Sequence, residues 1–329
     1  MIRNDGFDFG TLVISLDFEL MWGILDWQDP LSYEENVRGV YRAIPEILSL
    51  FHKHGIHATW GTVGMIACRD YAQWKEGFPS VLPEYEKEKL SPYHHGSELQ
   101  RFDASLLFAP DLISRIASTE HQEIASHTYS HYYCREAGQT KEAYSQDLKC
   151  GRNALTAYNP ELRSLILPRN QSNPDYAEIQ KENGLINYRG TERAGFWGGP
   201  GIIKGKRTLN RALRLVDSYI SLSGHNCYPY QEIKDANGLN NIRSSRFLRP
   251  YSKRFSFLEP LKIHRIKRQM KYAAKNHKVF HMWWHPHNFG VNTEENIRNL
   301  TEIVEYFENL KREYGMRSLN LSELGEMIK

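Results

Sequence analysis

Residues 11–19 read Thr-Leu-Val-Ile-Ser-Leu-Asp-Phe-Glu, an apolar run that ends in two carboxylates. Such a run is typical of a strand that is buried on both faces of a parallel sheet. Side chains at i and i+2 point to the same face of a strand, so Asp17 and Glu19 should project together from its end. They are either solvated charges at a strand end or a metal ligand beside a general base, and the rest of the sequence favours the second interpretation.

The second motif is His127-Thr-Tyr-Ser-His131, which follows a short strand that begins at Gln122. Two imidazoles four residues apart meet on one face if the backbone is helical or turns tightly. Zinc binds neutral histidine nitrogen readily. The spacing alone can arise by chance in a chain with 14 histidines, but the carboxylates upstream strengthen the prediction of a metal site.

The third motif lies in residues 278–288, which contain His-Met-Trp-Trp-His-Pro-His. A strand here places His281, Trp283 and His285 on one face, and Pro286 stops it because proline lacks an amide donor. His285 would lie at the strand's end, where a catalytic acid is expected. His281 would lie deeper, as a hydrogen-bonded core histidine. A second metal site at these histidines is the alternative, although no carboxylate flanks them.

Helix and strand patterns alternate along the chain, which predicts a parallel sheet with crossover helices. A helix is predicted from about Ser32 to His54, with a capping box at its start and Gly55 as its left-handed cap. A long amphipathic helix is predicted from about Thr293 to Tyr314. Residues 1–329 are interpreted as one domain with insertions near 66–105 and 203–260, the first of them over the mouth of the fold.

Four motifs in this order resemble those of the polysaccharide deacetylase family, the NodB-homology group also known as carbohydrate esterase family four. They are Ser15-Leu-Asp17-Phe-Glu19, His127-Thr-Tyr-Ser-His131, Leu167-Pro-Arg169-Asn170 after an apolar strand, and Trp284-His285-Pro286. The resemblance extends from about residue 11 to the C-terminus. It implies an α/β fold, a distorted (β/α) barrel of seven or eight strands (NodB-like and TIM-related) with loop insertions.

The resemblance also implies a reaction, the metal-dependent hydrolysis of N-acetyl or O-acetyl groups on a glycan or glycan precursor. Asp17 matches the general base, His285 the general acid, and Arg169 the arginine that orients the base. One divalent ion, with zinc expected, is implied at three ligands: Glu19, His127 and His131. The substrate-binding residues are expected to be Trp22, Asn170 and Trp284.

This sequence departs from the family pattern at three places. The usual pair of adjacent aspartates is replaced by Asp17-Phe-Glu19, a form that resembles a branch acting on atypical glycans or cyclic amides. Asn170-Gln-Ser172 stands where Pro-Pro-Tyr is usual, and Glu192 and Trp197 match the aspartate–tryptophan motif only loosely. A hydrolase of a cyclic amide or ureide and a non-catalytic glycan-binding barrel therefore remain as alternative interpretations.

Composition sets limits on location and partners. The chain begins without an apolar signal core and has no apolar stretch long enough to span a bilayer. Its four cysteines form no Cys-x-x-Cys motif. A reduced, cytoplasmic protein is therefore expected. The expected partner is an acetylated sugar or glycan, and no nucleic acid is expected. Residues 243–278 carry twelve basic residues and one acid, a net charge of +11 in a chain of net charge +3. This asymmetry indicates either an anionic, phosphate-bearing substrate or a solvated basic helix face.

Overall fold

Nine strands form one parallel sheet in the computed structural model, which describes residues 6–27, 29–192 and 207–328. The strands are β1 (Thr11–Phe18), β2 (Ala58–Thr62), β3 (Gln122–Ser126), β4 (Ser164–Leu165), β5 (Asn187–Tyr188), β6 (Asn240–Asn241), β7 (Arg246–Phe247), β8 (Val279–Trp284) and β9 (Arg317–Ser318). Eight of them follow the order β6-β5-β4-β3-β2-β1-β8-β7, and β9 pairs with the start of β1. Because the strands are parallel, their carboxyl ends lie at one edge of the sheet.

The sheet curls until its two outer strands approach each other. β6 and β7 lie at opposite ends of the strand order, yet the extended chain from Asn241 to Arg246 can span at most roughly 18 Å. Within this connection the amide of Ile242 donates to the Tyr188 carbonyl, whereas that of Ser245 donates to the His281 carbonyl, on the other wall. The predicted distorted (β/α) barrel is thereby confirmed, with eight strands around the wall and a short chain segment across the gap.

β1 lies at the centre of this sheet, and all eight of its residues are buried. It pairs along its length with β2 and β8. In the described part of the chain, eleven helices surround the strands: α1 (Glu34–Arg38), α2 (Val40–His54), α3 (Tyr71–Glu76), α4 (Gly96–Leu99), α5 (Pro110–Ala117), α6 (Lys141–Leu155), α7 (Ala177–Glu182), α8 (Arg207–Tyr219), α9 (Glu259–Lys275), α10 (Thr293–Tyr314) and α11 (Leu321–Met327). The largest core cluster fills the space between β1, β2, β8 and the inner faces of α2, α9 and α10.

The helix predicted over residues 32–54 is divided into α1 and α2 at Gly39. A Cβ at Gly39 would lie 2.0 Å from the carbonyl oxygen of Gly290, so two backbones meet where a side chain cannot fit. Gly55 ends α2 in the left-handed conformation, with φ of 58°, as expected. The Gly39–Gly290 contact fixes the segment that follows β8.

The two segments predicted as insertions differ in structure. Residues 66–105 contribute no strand and fold into short helical turns that pack beside the segments following β1 and β3; Trp74, for example, lies against Trp22. By contrast, residues 207–260 include α8 and the strands β6 and β7. This part of the 203–260 segment therefore belongs to the sheet itself.

None of the helices in the described part of the chain is long and apolar enough to cross a membrane. The longest, α10, has 22 residues and buries one stripe that includes Ile303 and Phe307. All four cysteines are free thiols.

Candidate active site

Side chains from three strand ends meet at the carboxyl edge of the sheet. Asp17 is the last residue but one of β1 and Glu19 follows that strand directly, as His127 follows β3 and His285 follows β8. The Nε2 atom of His285 lies 3.6 Å from Glu19 Oε1 and 3.8 Å from Asp17 Oδ2. The structure thus brings together the first, second and last motifs of the sequence.

Glu19, His127 and His131 form a compact set of potential metal ligands. Glu19 Oε1 lies 3.1 Å from Nε2 of His127 and 3.2 Å from Nε2 of His131. The ligand atoms of all three lie within 4.8 Å of one another, and all three residues are buried. Two imidazole nitrogens and one carboxylate oxygen are the donor set of a catalytic zinc site that keeps a position open, so these residues fit a divalent metal.

The groups around Glu19, His127 and His131 also favour metal binding by these three residues. Nδ1 of His131 lies 3.0 Å from the Tyr133 hydroxyl, which leaves Nε2 facing Glu19; such an outer contact fixes the orientation of a metal-binding histidine. Burial raises the pKa of the Glu19 carboxyl, but His285 and His131 outweigh burial and hold this pKa well below its usual range. Glu19 is therefore a carboxylate, the form that binds metals.

A tight loop, rather than a helix, brings the two histidines together. Thr128 and His131 have φ angles of 64° and 57°, in the left-handed region. Asp147 of α6 holds the loop, since its carboxylate accepts hydrogen bonds from the amides of Tyr129 and Ser130 at 2.7 and 3.1 Å. Sequence reasoning missed Asp147, although a carboxylate between the buried Tyr144 and Leu148 positions of α6 is a signal of internal hydrogen bonding.

Arg189 is the arginine that pairs with Asp17. Its guanidinium makes a two-pronged contact with the Asp17 carboxylate, at 2.5 and 2.7 Å, and both side chains are buried. Its Nε donates to Asn170 Oδ1 at 2.9 Å, and its guanidinium carbon Cζ lies 4.2 Å from the Trp283 ring centre. Burial raises the pKa of Asp17, but the Arg189 charge outweighs burial and lowers it. The carboxylate is therefore ionised and oriented.

The prediction that Arg169 orients Asp17 is corrected by this geometry. Arg169 lies in a turn after β4 with φ of 53° and pairs with Asp26, while its guanidinium covers the Tyr133 ring at 4.2 Å. Arg189 follows β5, on the wall opposite β1, and points across the barrel. The sequence pattern correctly placed Arg169 after an apolar strand, but the turn directs its side chain away from Asp17.

His281 and His285 occupy the depths expected of them. His281 is fully buried, with Nε2 2.8 Å from Ser15 Oγ and Nδ1 3.1 Å from the Ile242 carbonyl. Burial, assisted by the Arg189 charge, lowers the pKa of His281 to about 3. At His285, burial lowers the pKa, but the nearby Glu19 and Asp17 outweigh it and raise the pKa overall.

Two of the three expected substrate-binding residues lie elsewhere. Trp22 is in the core, where its indole donates to the Leu107 carbonyl and packs against Trp74. Trp284 is fully buried between Phe51 and Phe289 on the helix-facing side of β8. Side chains alternate along a strand, so Trp283, not Trp284, shares the face of His285. Asn170 does line the active-site cavity.

The active-site cavity has a volume of about 740 Å³. Its lining includes the carboxylates and imidazoles of Asp17, Glu19, His131 and His285, the aromatic rings of Trp27, Tyr33, Phe247 and Trp283, and the arginines Arg135, Arg169, Arg214 and Arg249. Glu192 also lines it and accepts a hydrogen bond from the Trp283 indole at 3.2 Å, while Trp197 lies outside the described residues. Aromatic walls around a polar floor suit a sugar ring.

Residues 37–188 match the model of the family described as polysaccharide deacetylase. This part of the chain contains His127 and His131 but neither Asp17 nor His285. No curated protein sequence matches the chain significantly.

Solved structures with the same fold catalyse different reactions. A protein from Mycobacterium smegmatis assigned to the polysaccharide deacetylases has 12% identity and a TM-score of 0.58, over 98% of this chain and 91% of its own. The Puue allantoinase has 14% identity and a TM-score of 0.54, over 96% and 89%. A GH57-type branching enzyme from Pyrococcus horikoshii has 12% identity and a TM-score of 0.53, over 97% and 70%. At such identities the likeness concerns the fold alone. Residues 37–188 span less than half of the chain, so this chain resembles the polysaccharide deacetylase family over that region and shares a barrel fold with the solved structures.

Proposed function

We propose that this protein is a metal-dependent deacetylase, which hydrolyses N-acetyl or O-acetyl groups of a glycan or glycan precursor. The observation that carries the proposal is the set of Glu19, His127 and His131 beside an ionised Asp17 and a histidine that ends a neighbouring strand. The match of residues 37–188 to the polysaccharide deacetylase model supports a hydrolase that acts on acetylated glycans. The fold alone would not, since unrelated functions share it.

Glu19 Oε1 and the Nε2 atoms of His127 and His131 would hold the metal, and zinc is the expected ion. A divalent ion at this position supplies a Lewis acid that polarises the acyl carbonyl and lowers the pKa of the attacking water. The roles of the two carboxylates differ because Glu19 faces both imidazoles, whereas Asp17 is occupied by Arg189.

Asp17 acts as the general base and takes a proton from the attacking water on its carboxylate. Arg189 binds both carboxylate oxygens, so the base stays ionised and cannot rotate. A general base in a fixed position contributes about 10²–10⁴-fold to a rate.

His285 acts as the general acid and gives the Nε2 proton to the leaving nitrogen or oxygen. Nε2 lies 3.8 Å from Asp17 Oδ2, so base and acid flank one position on the cavity floor. The side chain is partly exposed, at 23%, whereas Asp17 is nearly buried, at 4%. The acid thus faces the cavity, where the departing sugar would lie.

The proposal is tested by metal analysis and acetate release. The purified chain, loaded with zinc, is assayed with N-acetylglucosamine oligomers, an O-acetylated xylo-oligosaccharide and allantoin as a cyclic ureide. We expect about one metal per chain and acetate release, both lost in a His127→Ala, His131→Ala double variant. An Arg254→Gln variant, altered at an exposed residue outside the cavity lining, serves as the control.

Two outcomes would contradict the proposal. Hydrolysis of allantoin without acetate release from any glycan would assign the site to cyclic ureides. Stoichiometric metal in the wild type without turnover of any acylated substrate, combined with binding of the oligomers, would make the chain a glycan-binding barrel.

A further inference from the structure

Five of the twelve cations of the basic segment 243–278 form ion pairs with carboxylates in the described part of the chain. Asp217 pairs with both Arg246 and Arg265, at 2.9 and 2.8 Å. Lys262 pairs with Glu259 at 2.7 Å, and Lys267 with Glu302 at 2.6 Å. Part of the positive charge of this segment is therefore used in ion pairs within the fold, and Lys267 lies on a groove between α9 and α10 rather than at the active site.

Arg249 is different, because among the described residues it is the only cation of this segment that lines the active-site cavity. It lies two residues beyond the end of β7, and its Nε donates to Ser218 Oγ at 3.3 Å. Within residues 6–27, 29–192 and 207–328, no carboxylate pairs with it. Burial lowers the pKa of Arg249 and so does Arg214, while Tyr219 has the opposite effect.

A half-buried guanidinium without an acidic partner is costly, since it has lost water without gaining a counter-charge. The carboxylates that line the cavity are committed elsewhere. Asp17 pairs with Arg189, Glu19 faces the histidines, and Glu192 accepts from Trp283. By contrast, Arg169, which lines another wall of the same cavity, does have acidic partners, since it pairs with Asp26 and Glu136.

The place of Arg249 relative to the reacting groups indicates which part of a substrate it would contact. Phe247 ends β7, with its ring centre 4.8 Å from that of Trp283 and 6.1 Å from that of His285. Arg249 follows on the same side of the cavity. An anion bound there would belong to the sugar that departs past His285, not to the acyl group.

We propose that the substrate carries an anionic group, a carboxylate or a phosphate, which Arg249 binds on the β7 side of the active-site cavity. This inference rests on the proposed deacetylase function and narrows its substrate class. Guanidinium donors recognise both oxyanions with charge-assisted hydrogen bonds. Whether the substrate carries the carboxylate or the phosphate is decided by experiment.

The test compares three acetylated probes: neutral N,N′-diacetylchitobiose, N-acetylmuramic acid with its carboxylate, and N-acetylglucosamine 1-phosphate. We expect kcat/KM for one anionic probe to exceed that for the neutral probe about ten-fold or more, and the better anion identifies the source. Arg249→Gln should reduce this ratio about ten-fold, through KM, as expected for one charge-assisted contact. Arg249→Lys should restore part of it, and the control Arg254→Gln should keep the wild-type ratio. A ratio near one in the wild type, or one that Arg249→Gln leaves unchanged, overturns the inference.

A binding experiment separates this inference from the proposed function. Calorimetric titration of the zinc-loaded protein with inorganic phosphate and with glucuronate requires no turnover. If no probe is hydrolysed, the deacetylase proposal fails. Weaker binding of phosphate or glucuronate to Arg249→Gln than to the wild type would still support the anion site. Equal binding by the two proteins overturns the anion site.

Discussion

The pair of Asp17 and Arg189 gives the most direct test of the site's construction. In an Arg189→Met variant the Asp17 carboxylate stays 3% exposed but loses both of its guanidinium contacts. Removing one partner of a buried ion pair costs about 3–5 kcal/mol of unfolding free energy. The base would also lose its orientation, so kcat should fall about 100-fold or more while the bound metal is retained.

The matched control is Arg169→Met, which removes the arginine that the sequence motif indicated. Its side chain is 40% exposed and pairs with Asp26, whose side chain is 10% exposed. A pair in which the cation is this exposed contributes about 1 kcal/mol or less. The structure therefore predicts a difference of roughly 2–4 kcal/mol between two substitutions of the same kind.

Urea unfolding followed by circular dichroism, with EDTA present to remove metal effects, measures both losses. An Asp17→Asn, Arg189→Met double variant should regain part of the lost stability, because no unpaired buried charge remains. A loss in Arg189→Met that is equal to or smaller than that in Arg169→Met would refute the assignment of Arg189 as the partner of the base.

Three further predictions concern individual groups. Asp17→Asn should keep the metal and lose turnover, whereas Glu19→Gln should weaken metal binding; metal content by emission spectroscopy with parallel kinetics would show the reverse pattern if the roles are exchanged. His285→Ala should lower kcat about 100-fold on an N-acetyl sugar but spare 4-nitrophenyl acetate, whose leaving group needs no proton, and equal losses would argue against the acid role. The pKa of His281 is about 3 in the folded protein and ordinarily 6.5, so the unfolded chain takes up a proton that the folded chain excludes as the pH falls from 6.5 to 3. Stability should therefore decline over this range by up to about 1.4 kcal/mol per pH unit from this group, and His281→Gln should remove that slope in urea unfolding at pH 6.5, 5.5 and 4.5.

Periodicity was sufficient to predict the central features of the fold. An apolar run of eight buried residues identified β1, and the amphipathic stripe of residues 293–314 identified α10. Parallel strands share a carboxyl edge, so the residues at the ends of β1, β3 and β8 were expected to converge. Asp17, Glu19, His127 and His285 do so because strand direction alone determines it.

Other features depend on tertiary geometry that short motifs do not carry. β4 to β7 have two residues each, too few for a recognisable alternation. Arg169 fitted the motif, but a turn with positive φ directs its side chain to Asp26 rather than to Asp17, and Arg189 pairs with Asp17 from the next strand. Trp284 was chosen over Trp283 although alternation along β8 places Trp283 on the face of His285.

The bond between Asp17 and Arg189 joins opposite walls of the barrel, whereas the metal ligands come from β1 and the loop after β3, only two strands away. Local opening of the wall formed by β4, β5 and β6 would withdraw Arg189 yet leave Glu19, His127 and His131 in place. A population of molecules could thus hold a full complement of metal and still be inert. In the proposed enzyme, metal occupancy would report the folding of the half of the barrel that holds Glu19, His127 and His131, and turnover would report that the wall carrying Arg189 is also folded.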